Sequence, residues 1–185
     1  MNFVINDERL FHLLRHFESI DDDCLDILIH NGYTEKNIVD GLKSSGSLFL
    51  PSFCFSPCQL SDIFSNLKPV TIKLQENGFY AINYFSKKYL GTNGLIAIDE
   101  LSKKDQKRIF FQNRDGIKIK VVKEITAPLT KEAHIIAKKE SDNDVYDIIT
   151  CFPGTLSPPF PKYITNEKEK IISEKFWANH VLIEQ

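Results

Sequence analysis

The apolar residues in the first third of the chain recur at helical intervals. The first such set is Leu10, Leu13, Leu14 and Phe17. Asn6 or Asp7 precedes this set, and either residue is suited to cap a helix. Further helices are predicted after Asp21, after Thr34 and over residues 58–67, because each of these segments starts with a capping residue or with proline at its first turn.

Beyond residue 69 the apolar and polar positions alternate, which is the pattern of half-buried β-strands. The predicted strands are Val70–Gln75, Phe79–Phe85, Ile117–Ile125, Ala133–Ala137 and Val145–Phe152. A lysine-rich helix is predicted over Ser102–Phe111. A last helix begins at Asn166, and its residues Ile171, Ile172, Phe176 and Trp177 are expected to face the core. The pattern predicts an α+β fold: an N-terminal helical segment, an antiparallel sheet of about five strands and a C-terminal helix packed on the sheet.

Charge is distributed unevenly along the chain. Residues 1–66 contain 4 Lys/Arg and 10 Asp/Glu, a net of −6, whereas residues 101–140 contain 11 and 5, a net of +6. We therefore predict an acidic helical segment over 1–66 and an antiparallel-sheet domain over 67–185 that carries the basic segment. The basic segment suggests an anionic partner, and a solvated face without a partner explains it equally well.

Several classes of protein are not favoured. The chain has no run of eighteen apolar residues and no signal-peptide pattern at its start, so a cytoplasmic protein without membrane contact is expected. Its four cysteines lack zinc-site spacing and are expected to be free thiols. His12 and His16 are spaced to share a metal but have no third ligand at a convincing spacing. No metal or other cofactor is expected.

The first candidate for chemistry is His134, which lies in an apolar strand with Lys138 on the same face. Imidazole can accept a proton from a ribose 2′-hydroxyl, and a nearby lysine can hold the phosphate. The competing interpretation is a half-buried histidine satisfied by a backbone carbonyl, which is the commoner situation.

The second candidate is the end of the next strand and the loop that follows it. Thr150 offers a hydroxyl, Gly154 permits close backbone approach, and Thr155 and Ser157 are typical phosphate contacts. An ordinary connecting loop is the alternative. A hairpin between the two strands would place His134 and Thr150 on one sheet, within reach of each other if the register permits.

The strand bearing His134-Ile-Ile and the strand Tyr146-x-Ile-Ile-Thr150-x-Phe-Pro-Gly154 resemble the barnase, EndoU, colicin and RelE group of metal-independent ribonucleases and ribonuclease toxins. The resemblance covers about residues 90–165. It implies an acid–base role for His134, phosphate binding by Lys138 or Lys139, and a contribution from the Thr150 hydroxyl. The group's second acid–base residue has no clear match, and Tyr146 and Arg114 are candidates for a role in the site.

The leading hypothesis is a metal-independent endoribonuclease of toxin or defence type, which cuts RNA (tRNA included) by attack of the 2′-hydroxyl and is held in check by an antitoxin or immunity protein. The alternative is a non-catalytic interaction protein, itself an immunity protein or inhibitor, whose acidic helices contact a basic partner. RNA binding without cleavage is a third hypothesis.

Overall fold

Side-chain caps start the three N-terminal helices. Asn6 caps the first, Asp21 accepts a hydrogen bond from the backbone N–H of Cys24 at 2.8 Å, and Thr34 forms a capping box with Asn37. The computed structural model describes residues 2–42, 46–56, 60, 64, 67–75, 78–114, 116–139 and 144–184. Its helices are α1 (Asp7–Leu13), α2 (Asp22–His30), α3 (Glu35–Gly41), α4 (Lys103–Gln106) and α5 (Glu167–Asn179).

The strands form two main sheets and a small pair. They are β1 (Asn2–Val4), β2 (Pro69–Leu74), β3 (Phe79–Phe85), β4 (Gly91–Thr92), β5 (Leu95–Ala97), β6 (Phe110–Arg114), β7 (Ile117–Lys123), β8 (Leu129–Thr130), β9 (Glu132–Lys139), β10 (Val145–Pro153) and β11 (His180–Glu184). The five-stranded sheet has the order β1-β10-β9-β3-β2, the four-stranded sheet has the order β5-β11-β7-β6, and β4 pairs with β8. The predicted α+β class is confirmed, although the strands form more than one sheet.

The N-terminal helices pack on one face of the five-stranded sheet. Ala133, Ile135 and Ala137 alternate along β9 and are fully buried, because this face meets the helices. The core contains the predicted helical residues Leu10, Leu13, Leu14 and Phe17. In addition, β1 pairs in parallel with the first residues of β10. Residues 1–66 and the sheet therefore share one core.

A β-bulge in β10 decides which side chains face away from this core. Ile148 pairs with Ala137, but the next paired residue is Thr150, which lies opposite Ile136. Without the extra residue, Thr150 would lie opposite Ile135 and face the core. Because a shift of one residue exchanges the two faces of a strand, the bulge turns Thr150 to the outer face.

The second sheet was not predicted. Its central strand β11 pairs antiparallel with β5 and parallel with β7. The C-terminal helix α5 ends at Asn179, and His180 begins β11. Val122, Val181 and Ile183 form the centre of a separate small core beneath this sheet.

Two helix predictions were wrong in part. The lysine-rich helix ends at Gln106, and β6 begins at Phe110, where it pairs with Val121 of β7. On α5, Ile171 and Ile172 are exposed, while Ser173 is buried and donates a hydrogen bond to the carbonyl of Pro159 at 2.6 Å. Polar contacts with the proline-rich loop set the rotation of this helix.

Two other predictions fall largely outside the described residues. Of the helix predicted over residues 58–67, the described positions Leu60 and Phe64 are helical and buried, whereas Leu67 lies in a bend and is half-buried. Residues 141–144 are predicted from their sequence to form the turn between the last two predicted strands, and of these only Asp144 is described. In the part of the chain that the structure describes, we find no helix with the length and apolar character needed to cross a membrane.

Candidate functional site

A polar cavity lies beside the end of β10. Strand β1 covers only the first three residues of β10, and α1 with the 3-10 turn Leu14–His16 lies along the strand beyond them. The cavity has a volume of about 240 Å³ and is closed by the end of β6 and by β11. This is below the roughly 300 Å³ at which sites for whole small molecules begin, so the cavity suits one part of a larger ligand.

Two arginines meet in this cavity from distant parts of the chain. Arg15 follows α1 and Arg114 ends β6. Burial lowers the pKa of Arg15 from its usual value, and the positive charge of Arg114 lowers it further. The Nε atom of Arg15 is buried and has no hydrogen-bond partner among the described residues. Since a guanidinium stays charged in proteins, the arrangement favours an anion between the two side chains.

The second guanidinium is already balanced by a carboxylate. Arg114 forms an ion pair with Glu184, and Lys123 approaches the same carboxylate at 3.3 Å. Gln112 accepts a further hydrogen bond from Nε of Arg114 at 2.9 Å. These contacts fix the Arg114 side chain at the cavity wall and leave Arg15 as the less satisfied cation.

Two histidines line the cavity, one exposed and one buried. His12 is exposed on α1, and its pKa is lowered by partial burial, then by Arg15 and by Arg9. His16 is 8% exposed, and burial lowers its pKa to about 3. Its Nδ1 lies 2.8 Å from the carbonyl oxygen of Ser47. Because a carbonyl only accepts, Nδ1 carries the hydrogen and Nε2 carries the lone pair.

The loop after β10 contributes hydroxyl groups at fixed positions. Gly154 has a φ of +107° and lies against Asn93. The side-chain oxygen of Asn93 accepts from the backbone N–H of Thr155 at 3.1 Å, and its amide donates to the Thr155 hydroxyl oxygen at 3.0 Å. The Thr155 hydroxyl oxygen acts as acceptor in this contact, so its hydrogen is not used by Asn93. Thr155 and Ser157 both line the cavity, as does Thr150.

Four of the residues predicted as site residues therefore meet in one place, namely Arg114, Thr150, Thr155 and Ser157. Gly154, a fifth predicted site residue, lets the loop pack directly against Asn93, since a Cβ at this position would lie only 2.6 Å from the side-chain oxygen of Asn93. The bulge in β10 is what brings Thr150 to this side of the sheet.

His134 does not line this cavity. Its ring is 3% exposed and lies 5.6 Å from the ring of Phe152 on the neighbouring strand. Neither ring nitrogen makes a hydrogen bond with a described residue. Burial lowers its pKa, while Glu132 and the nearby backbone of Gly154 act in the opposite direction. A side chain enclosed in this way is closed to substrate in this conformation.

The remaining predicted residues lie at the other end of the β9–β10 hairpin. Lys138 and Lys139 are exposed and pair with Asp147 and Tyr146. Tyr146 is buried among aromatic rings of the core, and Lys139 lies over its ring at 6.0 Å. Tyr146 is six positions before Phe152 on β10, or roughly 20 Å along an extended strand. These three residues are therefore distant from the cavity.

Arg15 and Glu184 were not among the predicted site residues, and His12 and His16 were considered only as a metal pair. The i, i+4 spacing of His12 and His16 was the one signal in the sequence for these residues. Arg15 gave no signal, because it lies in a segment whose overall charge is acidic. Its proximity to Arg114 depends on how α1 packs beside the second sheet.

The cavity thus combines cationic, hydroxyl and imidazole groups, a set suited to a phosphate ester. Within the described ranges, no three or more His, Cys, Asp or Glu side chains are grouped to hold a metal ion. No family model, curated protein or solved structure matches this chain.

Proposed function

We propose that the cavity binds a phosphodiester of RNA and that the protein is a metal-independent endoribonuclease of toxin or defence type. The observation that carries the proposal is the half-buried guanidinium of Arg15, whose Nε has no acceptor in the described structure and which lies beside a second arginine. A phosphate placed between the terminal nitrogens of Arg15 and Arg114 accepts hydrogen bonds from both guanidinium groups and relieves the repulsion between the two cations. The same pair of charges repels a metal cation.

His12 is the acid–base group of the proposed reaction. Its lowered pKa keeps the imidazole neutral at pH 7, so the ring can accept the proton of a ribose 2′-hydroxyl. The 2′-oxygen then bonds to phosphorus and the bond to the 5′-oxygen breaks, which leaves a 2′,3′-cyclic phosphate. The departing 5′-oxygen takes a proton from water. Arg15 and Arg114 stabilise the negative charge that grows on the phosphate oxygens.

This proposal keeps the predicted substrate and reaction but gives the acid–base role to His12 in place of His134. The His12 side chain is exposed and lines the cavity. Cys24 and Cys151 are buried free thiols, which is consistent with action in the reducing cytoplasm. The likeness to the barnase, EndoU, colicin and RelE group remains a hypothesis that the same experiment addresses.

The test is incubation of the purified protein with tRNA in EDTA. The wild type is expected to release fragments that end in a 2′,3′-cyclic phosphate. His12→Ala is expected to lower the cleavage rate by about 10²- to 10⁴-fold, because it removes one acid–base group. Arg15→Gln is expected to weaken RNA binding as well as cleavage.

His30→Ala is the matched control, since His30 is exposed on α2 and outside the cavity. Thermal melts establish that each variant is folded. A wild type that leaves RNA intact, or a His12→Ala variant that cleaves at the rate of the His30→Ala variant, would rule the proposal out.

A non-catalytic interaction protein is the second candidate, and one feature favours it. Strand β2 is the last strand of the five-stranded sheet, and its residues Val70, Ile72 and Leu74 are exposed. An apolar edge of this kind can pair with a strand of a partner such as an antitoxin or a target protein. Expression in cells separates the candidates: a ribonuclease arrests growth, whereas a simple inhibitor or immunity protein leaves growth unchanged and RNA intact.

A further inference from the structure

A second cavity lies on the other side of the β6–β7 hairpin. It has a volume of about 420 Å³ and is bounded by this hairpin, the end of the proline-rich loop and α5. We propose that it binds the base of a nucleotide that neighbours the phosphodiester held in the first cavity. This inference rests on the proposed function, and it adds that the substrate is single-stranded RNA with at least one base inserted beside α5.

Aromatic side chains supply the surface on which a base would stack. Phe111 of β6 is 66% exposed although it is a large apolar residue. Phe160 and Trp177 are stacked with ring centroids 4.3 Å apart, and the indole N–H of Trp177 donates to the carbonyl of Pro158 at 3.2 Å. The stack is therefore held in place, and Phe111 offers an open ring on the same cavity. Base stacking on aromatic rings is the usual means of binding single strands.

Lysines give the cavity the charge that an RNA strand requires. Lys118, Lys120 and Lys162 line it together with one acid, Glu174. Lys120 donates to the backbone carbonyl of Ala178 near the end of α5, while Lys118 is exposed on β7. Cations around an aromatic surface match a base attached to a phosphate backbone better than they match an apolar peptide.

Two segments lie between the cavities, and each contributes residues to both. The β6–β7 hairpin contributes Arg114 to the first cavity and Ile117 to the second. The proline-rich loop contributes Ser157 to the first and Phe160 to the second. At the hairpin turn, a Cβ on Gly116 would lie 3.9 Å from Nζ of Lys162, so the Lys162 side chain extends to the turn. An RNA strand that crosses these two segments would have a phosphate in the first cavity and a base in the second.

Trp177 makes the inference directly measurable, because it is the only tryptophan of the chain. A 2′-O-methyl RNA pentanucleotide, which cannot form the cyclic phosphate, is titrated against the full-length protein while tryptophan fluorescence is recorded. Saturable quenching is expected. The same oligomer with abasic positions is expected to bind about 5- to 150-fold more weakly, the loss that corresponds to one stacked base.

Phe111→Ala is expected to weaken binding of the intact oligomer by a factor in the same range and to leave abasic binding unchanged. Phe85→Ala is the matched control, since Phe85 is 60% exposed on the other sheet. Heparin, a polyanion without bases, is expected to cause no comparable quenching. The same dissociation constant for Phe111→Ala and Phe85→Ala, or the same fluorescence quenching by heparin and by the oligomer, would overturn the inference.

The outcome also separates this inference from the proposed function. Cleavage of tRNA together with an unchanged Phe111→Ala titration means that the ribonuclease assignment stands and the base site is wrong. Base-dependent quenching without any cleavage means that the base site is right and the protein binds RNA without cutting it.

Discussion

At the scale of single residues, two histidines are buried in different hydrogen-bonding surroundings. His16 is buried with its Nδ1 bonded to the carbonyl of Ser47 at 2.8 Å. His134 is buried without a hydrogen bond to any described residue. Burial lowers the pKa of both, because a charged imidazole is poorly solvated in the interior. Both histidines therefore make the folded state sensitive to acid.

The pH dependence of stability follows from the His16 pKa. In the unfolded chain the imidazole takes up a proton near its ordinary pKa of 6.5, whereas in the folded protein it does so only at about 3. Between these values the unfolded state binds more protons, so the free energy of unfolding falls as the pH falls. Between pH 7.5 and pH 5, the free energy of unfolding of His16→Asn is expected to fall by about 2 kcal/mol less than that of wild type. Urea denaturation at several pH values measures this difference.

The asparagine amide can still donate to Ser47, so the variant removes the titration and keeps the hydrogen bond. Replacement of exposed His30 on α2 by asparagine provides the comparison and is expected to leave the dependence as in wild type. If the free energies of unfolding of His16→Asn and wild type change with pH in parallel, His16 is not the group that causes the loss of stability in acid.

At the scale of elements, β10 and the loop after it build the site. The bulge turns Thr150 outward, and the left-handed backbone at Gly154 directs the chain past Asn93. The hydrogen bonds between Asn93 and Thr155 then hold the loop in its position beside the cavity. The loop geometry therefore depends on one glycine and one asparagine from separate parts of the chain.

Substitution of Gly154 tests this dependence. Gly154→Ala is expected to destabilise the protein by more than Gly32→Ala, although both glycines have positive φ, of 107° and 91°. A Cβ at Gly154 would lie 2.6 Å from the Asn93 side-chain oxygen, while a Cβ at Gly32 meets nothing within 4 Å. The backbone strain costs about 1–3 kcal/mol at either position, and the clash adds to it at Gly154.

Urea denaturation of the two variants measures the difference. Gly154→Ala is also expected to weaken RNA binding, because Thr155 moves with the loop. Equal losses of stability would mean that Asn93 relaxes freely and does not fix the loop.

At the scale of the whole molecule, the separation of charge bears on the proposed binding of RNA. Asp22, Asp23 and Asp26 lie on α2, and Glu35 and Asp40 lie on α3, and neither helix lines either of the two cavities. In the basic segment, β6 lines both cavities and β7 lines the second. Binding of an RNA strand should release counterions from its phosphates. The logarithm of the binding constant is therefore expected to fall linearly with the logarithm of the salt concentration.

Lys118→Gln is expected to reduce the steepness of this line by about 0.7, the contribution of one phosphate contact on single-stranded RNA. The measurement is fluorescence titration with the 2′-O-methyl oligomer at several salt concentrations. Lys36→Gln, at an exposed position on α3, should leave the slope unaltered. The same change in slope for both variants would indicate a general charge effect with no contact at Lys118.

The success of the sequence-based prediction differs between local elements and long-range contacts. Helix caps such as Asp21 and Thr34 and the alternation along β9 were predicted correctly. The α4 helix was predicted too long, because the pairing of Phe110 with β7 outweighs the helical propensity of the lysine-rich segment. Strand β11 was missed because its five residues follow directly on a helix.

The sequence by itself determined the α+β class, the positions of the caps and of five strands, and the hydroxyl groups of the loop after β10. These depend on side-chain periodicity and backbone preferences within a few residues. Only the tertiary structure decided that Arg15 meets Arg114, that the bulge turns Thr150 toward them, and that His134 is enclosed while His12 is open. Those outcomes depend on strand register and on the packing of α1 beside β10, contacts between distant segments that no local pattern records.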